Sequence, residues 1–213
     1  MNRIIGVDES GKGDFFGPLV VGGILIPDSA VTELRAIGVR DSKTLSDSRA
    51  LELDENLRNR FPHVVAVLLP SEYNRIYKTI RNLNILLARQ HALVISELAS
   101  AHAADLAISD KFGKPELIER ELGKTASTIE LRQIVRGETI AQVAAASIIA
   151  RAGFLRAMDT LSEQVGVTLP KGAGEIVDRI GRQLVAKNGA AVLDGVAKIH
   201  FKNYGRSVKP ALI

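Results

Sequence analysis

The sequence contains no cysteine, which excludes disulfides, thiolate zinc sites and cysteine nucleophiles together and makes a reducing, cytosolic compartment the default expectation. Any metal must therefore sit on oxygen or histidine. Long hydrophobic runs are missing too. The stretch 18–27 falls far short of a membrane-spanning helix, and the first four residues lead straight into a strand-like segment without an export signal. There is no internal repeat and no low-complexity linker.

What is present suits a folded α/β protein. Apolar residues make up 46% of the 213 and charged residues 24%, so neither the disordered nor the membrane composition applies. The length fits one large domain or a domain with a helical appendage. We expect a core over 1–165 and a helical subregion over 166–213, where Gly166, Pro170, Gly172, Gly174 and Gly189 punctuate helical stretches. The net charge of +4 implies only a mild affinity for polyanions. If several acids are withdrawn to hold metal, the remaining surface is more basic and suits nucleic acid.

The pattern along the chain predicts strands over 4–8 and 18–27, joined by a glycine-bearing loop over 10–17. After the polar connector 41–45, Ser46 can cap a helix ending near residue 60, and 64–69 reads as a strand. Leu83, Leu86, Leu87, Val94 and Leu98 recur at helical spacing and predict a helix over 82–103. Short strands are expected over 106–109 and 128–135. A long helix follows over 139–162, in which Ala144, Ala145 and Ala146 would admit a close neighbour.

Asp8 and Glu9 end the first apolar strand. Adjacent strand residues point to opposite faces, so both reach one cavity only if the chain begins to turn there. Clustered carboxylates repel one another unless divalent cations neutralise them, and hard cations such as Mg²⁺ prefer oxygen. The plain alternative is two surface acids on a solvated turn. Gly11 and Gly13 flank Lys12, a pattern that lets backbone N–H groups and a cation approach a phosphate or sugar, or that merely permits a tight turn. Gly6, Gly11 and Lys12 also match the spacing of a nucleotide-binding P-loop, but Gly13 stands where a hydroxyl should hold Mg²⁺. Asp110 closes an apolar strand and Glu138 sits near a helix start; turn capping and helix-end stabilisation are the ordinary readings of each.

Taken in order, the motifs resemble the type 2 ribonuclease H family, on its ribonuclease HIII side. The segment from Gly6 through Asp8, Glu9, Ser10, Gly11, Lys12 and Gly13 to Leu19 resembles the opening motif, in the form with Asp14, Phe15 and Phe16 found in HIII. Asp41, Ser42 and Lys43 resemble the second motif, and Ser109 to Phe112 the third. Glu138 with 143–151 resembles the fourth, with Glu where HII enzymes have Asp. Tyr73, Asn74, the 82–88 stretch with His91, and the segments 169–173 and 198–203 resemble further HIII motifs. HIII proteins usually carry an additional N-terminal substrate-binding domain. This sequence starts at the catalytic strand, either as a piece of a longer chain or as a compact form.

The resemblance implies an α/β, RNase H-like fold: a mixed β-sheet flanked by helices, with the helical subregion behind it. It implies endonucleolytic cleavage of the RNA strand of an RNA–DNA hybrid. Two Mg²⁺ or Mn²⁺ ions would be held by Asp8, Glu9 and Asp110, with Glu138 alongside, leaving 3′-hydroxyl and 5′-phosphate ends. Gly11, Lys12, Gly13, Lys43 and Arg151 are the substrate-binding candidates, the last two being ordinary solvated charges on the alternative reading. His91 is expected as a packed or surface residue and His200 as a substrate-side one. The implied enzyme is a cytoplasmic monomer without membrane association. The alternatives are an HII-type enzyme that cuts at single ribonucleotides and a non-catalytic hybrid-binding module.

Overall fold

The computed structural model describes residues 2–40, 42–114, 116–123 and 129–209, and only the backbone of Lys43. In chain order the elements are β1 (Arg3–Ser10), β2 (Leu19–Pro27), α1 (Val31–Ala36), α2 (Asp47–Arg60), β3 (His63–Leu68), α3 (Pro70–Ile80) and α4 (Leu83–Ala101). They continue as β4 (Leu106–Asp110), α5 (Glu116–Gly123), β5 (Glu130–Ile134), α6 (Ala141–Val165), α7 (Glu175–Asn188), α8 (Val192–Val196) and α9 (Lys202–Val208). The five strands form one mixed sheet in the order β3-β2-β1-β4-β5. β1 is antiparallel to β2 and parallel to β4, and β4 is parallel to β5.

Contacts divide the chain into two units, 1–10 with 20–66 and 82–153, and 11–19 with 67–81 and 154–213. The second therefore takes in segments that the sequence reading groups with the core.

In the first unit, side-chain alternation sorts the strand residues between two helical layers. Ile5, Val7, Val21, Leu25 and Ala107 pack on α4 and on Ile118 and Leu122 of α5. Ile24 and Ile26 pack on Leu34 of α1, Leu53 and Leu57 of α2, and the alanine-rich start of α6. Glycine sets the closeness of that second layer. A Cβ on Gly22 would meet the Ala146 carbonyl oxygen at 2.8 Å, and one on Gly6 would meet that of Gln142 at 2.1 Å. Capping fixes the helix starts: Ser46 Oγ accepts from the Arg49 N–H, and the Asn82 side chain from Asn84 and Ile85. α5 was not foreseen.

The second unit is built around the loop after β1. Phe15 and Phe16 are fully buried, their rings 4.8 Å apart. The Phe15 N–H donates to the Gly172 carbonyl and the Gly17 N–H to that of Val196. Gly172 in turn donates to Asp14 Oδ1 at 2.6 Å. Asp178 ties α7 to α9, accepting from Asn203 at 2.6 Å and from Arg206 at 2.7 Å.

Lys198 is wholly buried here, its Nζ donating to the Gly17 carbonyl at 2.6 Å and the Pro18 carbonyl at 3.3 Å. Burial pushes its pKa down to about 7, against a smaller opposing pull from Asp14. Between that value and the ordinary 10.5, the unfolded chain holds the extra proton, so this group makes stability rise with pH above 7. Urea unfolding is expected to show a gain of about 1 kcal/mol per pH unit from 7 to 9, flattened in Lys198→Met. An equal slope in the variant would remove Lys198 as its source.

Candidate active site

β1 and β4 run parallel with Val7 opposite Ser109. The next residues along, Asp8 and Asp110, therefore occupy neighbouring positions, about 4.8 Å apart across the strands, on one face. That face belongs to α6: Ile4, Leu106 and Ile108 pack on Val143, and Asp8 pairs across the sheet with Gly22, which abuts Ala146 and Ala150. Asp8 Oδ1 accepts the Glu9 N–H at 2.8 Å.

Asp110 Oδ1 accepts the Gly137 N–H, also at 2.8 Å. Gly137 opens the short 3₁₀ turn Gly137–Thr139 that leads into α6, and Glu138 is its second residue. Arg136 turns the chain into it with a left-handed φ of 59°. A Cβ on Gly137 would come within 3.1 Å of the Asp110 Cα, so a glycine here allows the turn to press on the end of β4. One main-chain hydrogen bond thus brings the Glu138 segment to Asp110.

Glu9 faces the other way. The strand does not turn after Asp8, as one shared cavity for both acids would need; it stays paired with β2 through Ser10. The Glu9 side chain is only 10% exposed, with Oε2 3.2 Å from Nε2 of His91 on α4. An ionised carboxylate can only accept, so Nε2 donates. His91 is fully buried, Nδ1 lies 3.0 Å from Ser109 Oγ, and Ser109 Oγ donates to the Asp110 carbonyl at 3.0 Å. A string of polar groups therefore runs from Glu9 to the main chain of Asp110. The expectation of a packed histidine holds, but its contact with Glu9 was missed. The available signal was a polar residue on the buried face of an apolar helix, where it needs a partner.

Among the described residues no three His, Asp or Glu side chains gather about one point as metal ligands. Asp8 and Asp110 nonetheless offer adjacent hard oxygen donors without sulfur, a donor set that fits Mg²⁺ or Mn²⁺. Glu138 follows the residue bonded to Asp110, while Glu9 would have to swing away from His91 to join them.

The other sequence candidates divide. Gly11, with φ 85°, is required by the fold, because a Cβ would lie 2.1 Å from the Pro18 carbonyl oxygen. Gly13 is exposed with nothing within 4 Å of a Cβ, so packing does not account for it. Lys12 between them is half-buried. Arg151 is neither a solvated charge nor an open phosphate contact: it donates to the Ser42 carbonyl and to Asp47 Oδ1, the latter at 2.7 Å. It clamps the connector. Lys43 lies in the 3₁₀ turn Ser42–Thr44, its side chain outside the described residues, as is Asp41. The P-loop reading fails, since Gly6 is mid-strand against α6 and the loop leads to β2 rather than to a helix.

This sheet order, with acids at the ends of two neighbouring parallel strands, places the chain in the class of the RNase H-like fold. The ribonuclease H2 of Pyrococcus horikoshii OT3 shares that fold at a TM-score of 0.82 and 22% identity, over 96% of both chains. The chain belongs to the ribonuclease HII family, whose sequence model, described as Ribonuclease HII, matches residues 5–204. Its curated relatives lie on the HIII side. It is 42% identical over 203 residues to ribonuclease HIII of Chlamydia muridarum, covering 94% of this chain and 67% of the relative. With ribonuclease HIII of Protochlamydia amoebophila the identity is 38% over 198 residues, covering 93% of this chain and 66% of the relative. The crystal structure of Bst-RNase HIII in complex with Mn²⁺ superposes at a TM-score of 0.91 and 34% identity, over 97% of this chain and 69% of the other. The chain thus spans about two thirds of the length of these relatives.

Proposed function

We propose that the chain is an endoribonuclease that hydrolyses the RNA strand of RNA–DNA hybrids, leaving 3′-hydroxyl and 5′-phosphate ends. The observation that carries this is the juxtaposition of Asp8 and Asp110 at the ends of adjacent parallel strands, in a chain with ribonucleases HIII among its relatives. Asp8 and Asp110 hold Mg²⁺ or Mn²⁺ through their carboxylates, and Glu138 joins them from the turn bonded to Asp110. The chemistry that two such ions supply when bound is activation of a water for in-line attack and stabilisation of the leaving 3′-oxygen.

Gly11, Lys12 and Gly13, which follow the acid pair in sequence, approach the ribose 2′-hydroxyl and phosphate of the RNA strand. Lys43 adds a phosphate contact, and Arg151 serves by fixing the connector that carries it. The enzyme acts as a cytoplasmic monomer. Two features are consistent with that location: the chain has no cysteine, and among the described residues no helix is long and apolar enough to cross a membrane.

The test compares a continuous RNA–DNA hybrid with a duplex carrying one ribonucleotide, each with Mg²⁺ and Mn²⁺. Cleavage confined to the hybrid is expected. Efficient cutting at the lone ribonucleotide would make this an HII-type enzyme, and tight binding with no cleavage in either metal would make it a binding module.

His91 has a positioning role in this reading, holding Glu9 on the α4 side until metal or substrate draws it across. His91→Ala removes a hydrogen bond that only the metal-free chain makes, so Mn²⁺ binding, read by calorimetry, is expected to tighten about tenfold, the scale of one hydrogen bond to a charged group. Unchanged Mn²⁺ affinity in a folded variant would leave His91 with a packing role only.

A further inference from the structure

A cavity of about 650 Å³ opens in the second unit between α3 and the segment 194–200. Its walls are fixed from behind by Asn74, whose amide donates to Asp194 Oδ1 and to the Asp194 and Ala197 carbonyls, and whose Oδ1 accepts the Ile199 N–H at 3.1 Å. One wall is aromatic. The rings of Tyr77 and His200 are stacked 4.2 Å apart, and both rest on the fully buried Tyr73, at 5.6 and 5.5 Å. Such a wall is pre-ordered before any ligand arrives.

The rim is cationic. Arg75, Lys78 and Arg81 all line the cavity and all are exposed. Arg75 and Lys78 lie three residues apart on α3, about 4.5 Å along its axis, and Arg81 follows at the helix end with a left-handed φ of 49°. Arg75 meets Glu72 at 3.6 Å, but both side chains are more than half exposed and such a pair holds little. Arg81 Nε donates to the Lys78 carbonyl at 3.4 Å, leaving its terminal nitrogens to the rim. Asp194, the one acid among the described residues that line the cavity, is engaged by Asn74. Burial and the neighbouring Lys198 hold the His200 pKa below its ordinary value, so the ring is a neutral stacking surface beside these cations.

We propose that this cavity binds a single strand of nucleic acid, with one unpaired base against the Tyr77–His200 wall and consecutive phosphates on Arg75, Lys78 and Arg81. Flat rings beside a group of exposed cations are what an unstacked base and its backbone require, whereas a paired duplex keeps its base faces covered. The site is distinct from the carboxylates of the first unit and does not depend on metal.

The test is fluorescence anisotropy of a fluorescein-labelled 12-nucleotide DNA strand in EDTA, repeated over a range of NaCl. The triple variant R75A/K78A/R81A is expected to bind more weakly and to lose about two units of the slope of log affinity against log salt. Tyr77→Leu is expected to bind roughly five- to hundredfold more weakly with an unchanged slope, while Tyr77→Phe binds like the parent chain. Parental affinity and slope in the triple variant would overturn the proposal. So would parental binding by Tyr77→Leu, which would leave only a generic polyanion surface, or a loss in Tyr77→Phe equal to that in Tyr77→Leu. Hybrid cleavage with Mn²⁺ is measured on the same proteins. Cleavage with cavity-independent binding overturns the cavity alone, and cavity-dependent binding without cleavage overturns the nuclease reading alone.

Discussion

Asp110→Asn is expected to slow hybrid cleavage by about 10³-fold or more while leaving the chain folded. A metal at a phosphoryl oxygen supplies several kcal/mol of transition-state charge stabilisation, and each 1.4 kcal/mol or so is a factor of ten in rate. If Asp8 and Asp110 are adjacent ligands as proposed, removing the negative charge from one of them forfeits much of that term. The fold has less at stake. The amide oxygen of Asn can still accept the Gly137 N–H that Asp110 Oδ1 now accepts at 2.8 Å, so the turn carrying Glu138 keeps its anchor. The loss in stability should stay near 1 kcal/mol, the scale of a single hydrogen bond. Single-turnover cleavage with Mn²⁺ and urea unfolding on the same preparation separate the two effects. A rate within tenfold of the parent would remove Asp110 from the metal site.

That the strand-end placement of Asp8 and Asp110 was legible in the sequence, and the direction of the Glu9 side chain was not, follows from what each depends on. The two aspartates end apolar runs, and an apolar run that stops at an acid marks a strand end by composition alone. Glu9 depends on where β1 stops pairing. That is decided by its partner strand, since Ser10 is held opposite Val20. Periodicity over 4–8 cannot register a pairing that continues into polar residues. The His91 contact is less legible still, for it joins residues 82 apart in sequence. Arg151 fails for the same reason: its partners Ser42 and Asp47 lie more than 100 residues earlier.

The fold shows the same division between local and long-range causes. α4 was readable because its apolar positions repeat over five turns, and the structure trims it only to Leu83–Ala101. α5 is two turns long, with only Ile118 and Leu122 as buried apolar positions, too little pattern to distinguish from a loop. The loop after β1 read either as an approach to a phosphate or sugar or merely as a tight turn. Its aromatics instead fill the core of the second unit, and a lysine 180 residues downstream holds its carbonyls. Of its two glycine candidates, packing explains Gly11 and not Gly13, so Gly13 is where the proposed substrate contact has no structural competitor.

Gly6→Ala is expected to destabilise the chain by about 3 kcal/mol or more, the upper range for overpacking a core. Gly6 sits mid-strand, paired with Ile24 on one side and Ile108 on the other, so β1 cannot slide away without breaking two ladders. The added methyl would lie 2.1 Å from the Gln142 carbonyl oxygen and 2.7 Å from the Val143 nitrogen. Those are backbone atoms in the first turn of α6, with no rotamer to yield, so the helix start itself must move. Asp110 and Glu138 are joined through the turn that feeds this helix, so the displacement should also raise the Mn²⁺ concentration needed for half-maximal cleavage. Gly195→Ala is the matching control, for nothing lies within 4 Å of a Cβ there. It should leave stability within about 1 kcal/mol of the parent, because alanine is the better helix former. If urea unfolding placed both variants within 1 kcal/mol of the parent, α6 would not be seated on β1 as closely as the Gly6 contacts require, and the position of Glu138 would need another cause.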